Sequence, residues 1–111
     1  MREIEWIESK YVRHRDDTEV SVKLATNGKG VVTTRIFFYG SALAKITRKE
    51  HIRVGMSLNR MYFQEAQSGG YKVSKQKSVR IPGKKDDWVG EYKLMFDGEM
   101  GLWYIQKGVN A

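Results

Sequence analysis

Apolar and polar residues alternate with a period of two along most of this chain, a period that fits strands and not helices. In Thr18–Ala25, Val20, Val22 and Leu24 fall on one face, with Ser21 and Lys23 on the other. Val31–Tyr39 repeats the pattern, setting Val32, Thr34, Ile36 and Phe38 against Thr33, Arg35, Phe37 and Tyr39. Between them stands Asn27-Gly28-Lys29-Gly30, whose Asn-Gly step tolerates the positive φ angles of a tight hairpin turn. Further strands are expected at Met56–Glu65 and Tyr71–Ile81 around Gln67-Ser68-Gly69-Gly70, and at Trp88–Phe96 and Leu102–Gln106 around Asp97-Gly98-Glu99-Met100-Gly101. Ile4 and Trp6 suggest a short strand near the start, and Pro82–Asp87 reads as a loop. One helix is expected over about residues 42–53, with Ser41 as its cap, Leu43 and Ile46 on one side and Gly55 as its stop. Thr47-x-x-Glu50 is also a capping box, which would start the helix late or split it into two short turns. The expected fold is mostly β: a small antiparallel barrel or bent sheet of six or seven strands with one short helix.

A chain of 111 residues, 41% hydrophobic and 30% charged, has the composition of one globular domain spanning residues 1–111. Cysteine is absent, which rules out disulfides, thiolate metal sites and cysteine nucleophiles. MREIEWIESK holds no apolar run of signal-peptide length, and no segment approaches the roughly 20 apolar residues of a membrane-spanning helix. A cytoplasmic protein without a membrane partner is the expectation.

The charge is segregated. Residues 18–85 carry fourteen Lys/Arg against Glu19, Glu50 and Glu65, while the stretches on either side are slightly acidic. Such a field attracts polyanions, and the partner expected is nucleic acid, DNA in the first place. Two stretches concentrate the cations. Lys45, Arg48 and Lys49 share a side of the expected helix, with Arg53 just beyond. Lys72, Lys75, Lys77, Arg80, Lys84 and Lys85 crowd one strand and its following loop, on both faces, as an edge or projecting strand would carry them. Tyr39, Tyr62 and Tyr71 are the aromatics placed by alternation to stack on bases.

From about Arg35 to Lys75 the chain runs strand, short helix, Ile52-Arg53-Val54-Gly55-Met56-Ser57-Leu58, strand, turn and Tyr71-Lys72-Val73. This order resembles the AbrB-type swapped-hairpin DNA-binding module. The resemblance implies an intertwined homodimeric β-barrel that binds duplex DNA, with Arg48, Lys49 and Arg53 near the DNA-facing surface. At two positions this chain differs from that family: no Pro opens the helix, and Met56 stands where the family has an acidic residue.

Catalytic and metal-binding signals are sparse. His14 and His51 stand in no triad, and His51 reads as a helix-end residue beside the C-terminal dipole. Asp86 and Asp87 followed by Glu91-Tyr92-Lys93 resemble the acid and Glu-x-Lys set of metal-dependent nucleases, but they lie too close in sequence to converge from separate strands. The C-terminal stretch holds Trp88, Tyr92, Leu94, Phe96, Trp103 and Tyr104, as a core-closing hairpin or a protein-docking surface would. The sequence therefore points first to a non-enzymatic nucleic-acid-binding protein without cofactor or metal, dimerisation being open. A protein-binding module or inhibitor steered to an acidic partner is the alternative, and a metal-dependent nuclease the remote one.

Overall fold

The computed structural model describes residues 18–108. They form nine antiparallel strands, one six-residue helix and a 3-10 turn at Asp86–Trp88. The strands are β1 (Val20–Thr26), β2 (Val32–Phe38), β3 (His51–Ser57), β4 (Arg60–Ala66) and β5 (Tyr71–Lys72), then β6 (Ser78–Ile81), β7 (Gly90–Tyr92), β8 (Met95–Asp97) and β9 (Leu102–Gln106); helix α1 is Ser41–Ile46. The first sheet has the order β6-β2-β1-β7 and the second β5-β3-β4-β9-β8. The mostly β expectation holds. The barrel does not, because the two sheets are separate ladders and remain unclosed.

The alternation of Val20, Val22, Ile36 and Phe38 packs the first sheet against Ile52, Met61, Phe63 and Ile105 of the second. Phe38 meets Phe63 edge-on across the interior, with centroids 5.3 Å apart. Burying each of these rings contributes about 1.5–3 kcal/mol. Ala42 and Ile46 of α1 seal one end of this core, and Trp88 and Tyr92 join it from the C-terminal segment.

The Asn27 hairpin forms as its chemistry dictates: Asn27 Oδ1 accepts the N–H groups of Lys29 and Val31 at 2.8 and 3.0 Å. Four other segments depart from expectation. The helix stops at Ile46 and does not reach Arg53. Thr47 Oγ1 turns back onto the Leu43 carbonyl at 2.7 Å, and the Arg48 N–H is taken by the Glu65 carboxylate at 2.7 Å, so no further helical bond forms there. His51, expected at a helix end, begins β3, and Gly55, expected as the helix stop, lies inside that strand. Met56–Glu65 is two strands, because Leu58-Asn59 makes a two-residue turn with Leu58 at φ 49°. Tyr71–Ile81 is interrupted by a turn at residues 74–77, where Lys77 has φ 59° and its N–H bonds the Ser74 carbonyl. Trp88–Phe96 divides between the sheets, β7 pairing with β1 and β8 with β9. The crossover is fixed at Leu94, whose N–H donates to the buried Glu19 carboxylate at 3.0 Å. The strand expected around Ile4 and Trp6, like His14, lies outside the described residues.

Candidate nucleic-acid interface

The Asn27 turn sets the β1–β2 register so that Lys23 stands opposite Arg35, and the β2–β6 register sets Arg35 opposite Arg80. Opposite residues share a face, so three cations from three strands line up in one row across the outer surface of the first sheet. Val22, Ile36 and Val79, one position along each strand, point into the core. Phe37 occupies the next outer row, between Ser21 and Ser78. Lys23 Nζ lies 5.5 Å and the Arg35 guanidinium 5.4 Å from its ring centroid. Tyr39 continues the surface, its ring stacked on Phe37 at 6.4 Å and 15°. Burial, with help from the nearby Glu91 carboxylate, raises the Tyr39 phenol above its ordinary pKa.

Arg35 also donates to Gln76 Oε1 at 3.3 Å, and the Lys77 carbonyl accepts the Phe38 N–H at 3.0 Å. These bonds hold the turn carrying Lys75 and Lys77 beside the cationic row. Loop residues Pro82–Lys85 follow β6 and are pinned by Thr34 Oγ1, which donates to the Gly83 carbonyl and accepts the Lys85 N–H, both at 2.9 Å. Among the described residues, no carboxylate forms an ion pair with Lys23, Arg35, Lys75, Lys77, Arg80, Lys84 or Lys85.

The cations expected on the helix fare differently. Lys45 pairs with Glu19 at 3.4 Å and lies 4.6 Å from the Trp103 ring centroid. Arg48 embraces Glu65 through both Nε and Nη2, at 3.1 and 2.7 Å to Oε1. That pairing outweighs burial and holds the Glu65 carboxyl below its ordinary pKa. Both cations are spent on internal partners, and with α1 ending at Ile46 the basic helix face does not form. Lys49 is exposed, and among the described residues its ammonium forms no ion pair, although its backbone N–H donates to the Glu65 carboxylate. Arg53, bonded to Gln64 at 3.1 Å, and Lys72, opposite His51, lie on the outer face of the second sheet.

Tyr62 is on that same outer face, 5.6 Å from Tyr104. There the accompanying cation, Arg60, is neutralised by Asp97 at 3.0 Å while it covers the Tyr104 ring at 4.2 Å. Tyr71 is half-buried against the core and lies away from the first sheet's outer face. The sequence-expected residues are thus divided: Lys45, Arg48 and Lys49 lie in or just after α1, Arg53, Lys72 and Tyr62 on the second sheet's outer face, Tyr71 against the core, Lys84 and Lys85 in the loop after β6, and Lys75, Lys77, Arg80 and Tyr39 around one surface.

That surface includes Lys23, Arg35 and Phe37, which were not singled out from the sequence. The signal for them was present: once the Asn27 turn fixes the register, the Lys23–Arg35 pairing follows.

The nuclease-like pattern does not assemble. Asp87 is turned to Lys107 at 2.5 Å, Glu91 sits on β7, and among the described residues no group of three His, Asp or Glu side chains is placed to hold a metal. Trp88, Tyr92 and Leu94 are core residues, whereas Phe96 is exposed and tilted against Trp103, with centroids 4.8 Å apart. None of the described helices is long and apolar enough to cross a membrane. Neither a protein-family model, nor a curated protein, nor a solved structure matches this chain.

Proposed function

We propose that this protein binds single-stranded nucleic acid across the outer face of its first sheet. The observation that carries this reading is the row Lys23–Arg35–Arg80 beside the stacked Phe37 and Tyr39, with no carboxylate paired to the row among the described residues. Cations beside half-exposed rings are what this reading uses, the phosphates of a single strand meeting the charges and its bases the rings. Duplex DNA fits less well. Four strands about 4.8 Å apart span about 14 Å before side chains are added, wider than a major groove of about 12 Å. Arg80, Lys75 and Lys77 belong to this surface; Lys45 and Arg48 do not.

The test compares anisotropy of a labelled single-stranded oligonucleotide with that of its duplex and of polyphosphate. Single strands should bind tightest, and Phe37→Ala should weaken them by about 1–3 kcal/mol while leaving polyphosphate unaffected. Equal affinity for single strand and duplex, together with no effect of Phe37→Ala, would remove this reading.

A further inference from the structure

The geometry points to a second binding site on this molecule: the free edge of β3 from Val54 to Ser57, which takes an extended acidic peptide as an added strand. The partner strand β5 pairs with β3 only at His51 and Ile52. Beyond them, among the described residues, β3 has a neighbour on one side only, β4. The Glu50 carbonyl accepts the Val73 N–H at 2.8 Å, and the Ile52 carbonyl points toward Gly70, so the even-numbered residues turn their backbone groups to the β5 side. Alternation along an antiparallel strand then directs the N–H and C=O of Val54 and Met56 to the open edge. Those of Arg53, Gly55 and Ser57 face β4.

Edges of this kind are usually blunted by charge, Pro or a bulge, and Val54-Gly55-Met56-Ser57 carries neither charge nor Pro. The edge also borders a cleft of about 170 Å³ between the two sheets, lined by Val54, Met56, Tyr71, Ile81, Pro82 and Lys85. Met56 is 45% exposed there and Leu58, at the hairpin tip, 95%. An added strand would place every second side chain over this apolar cleft. Its other side chains would lie on the outer face of the second sheet, where Arg53 and Lys72 stand exposed without acid partners among the described residues. Lys85 closes the rim. Apolar residues alternating with acids match both sides of the edge, as β-augmentation requires. A second copy of this chain would set the cationic rim against itself.

The probe is a blocked heptapeptide alternating Glu and Val, added to the full ¹⁵N-labelled chain, with amide exchange read residue by residue. At a peptide concentration of about 100 times Kd, exchange at Val54 and Met56 should slow about a hundredfold, and that at Arg53, Gly55 and Ser57 should not change. Met56→Pro removes one edge donor without touching a bond to β4 and should abolish the slowing at Val54, while unchanged protection along β4 shows an intact fold. Arg53→Glu with Lys72→Glu should move the preference to a Lys–Val peptide of the same length. No slowing with the Glu–Val peptide, or equal slowing with Lys–Val on the unmodified chain, would overturn the proposal. Slowing that rises with protein concentration alone would assign the edge to a second copy and equally overturn it.

Discussion

Glu19 shows how one side chain can tie several elements together. Its carboxylate, 7% exposed, receives the Ser41 hydroxyl, the Leu94 N–H and the Lys45 ammonium, and so joins the start of β1 to α1 and to the crossover between sheets. Burial pushes its pKa up, but the Ser41, Leu94 and Lys45 contacts outweigh that and hold it below the ordinary 4.5. A carboxyl depressed on folding stabilises the native state above its unfolded pKa, and that contribution is lost as pH falls from about 4.5 through the folded value. Glu19→Gln should therefore cost about 2 kcal/mol at pH 7 and lose less stability than the unmodified chain between pH 6 and pH 3.5, as read by urea midpoints.

Leu58 is the opposite case, a residue whose backbone works against it. It holds φ 49° with its side chain almost wholly in water, so strain is incurred and no packing gained. Leu58→Gly should raise stability by up to about 1 kcal/mol in thermal or urea unfolding, since the strain removed exceeds the extra unfolded-state freedom of glycine. A fall in stability would show that the leucine side chain is held by something other than solvent.

At the scale of elements, the sequence was legible where local chemistry and tertiary pairing agree. The Asn27 hairpin is the clearest example, with turn, alternation and register all readable from adjacent residues. Helix α1 was only half legible: Ser41 to Ile46 follow helical spacing, but its end is set by Glu65, seventeen positions away, which takes the Arg48 N–H. The breaks at Leu58 and Lys77 were hidden because neither residue favours positive φ. The division of Trp88–Phe96 between sheets rests on Leu94 and Glu19, a pairing no local pattern announces.

Gly70 is the position on which the short β5 depends. Its φ is 61°, and a Cβ there would stand 2.6 Å from the Ile52 carbonyl oxygen. Gly70→Ala should destabilise the fold by about 2 kcal/mol or more and release the β5 amides to faster hydrogen exchange. An unchanged exchange pattern would mean that β5 approaches β3 less closely than described.

At the scale of the whole molecule, two β faces that look alike in composition separate by how their charge is used. Both pair aromatic rings with cations. On the second sheet Arg60 is balanced by Asp97, whereas on the first Lys23, Arg35 and Arg80 have no such partner among the described residues. The excess of cations in the sequence was legible, but its location was not, because Lys45 and Arg48 are consumed by Glu19 and Glu65 in contacts that only the fold creates. The place of Phe37 was hidden for a related reason: alternation shows which residues share a side of a strand, and only cross-strand register shows which cations stand beside them.

The central claim is that the outer face of the first sheet holds the phosphates of a single strand. It is tested most directly by the salt dependence of binding, measured for the unmodified chain and for the variant Lys23→Gln, Arg35→Gln, Arg80→Gln. Three lost phosphate contacts at about 0.7 each should flatten the slope of log K against log salt by about 2, with thermal stability unchanged. Equal slopes for the two proteins would contradict the account.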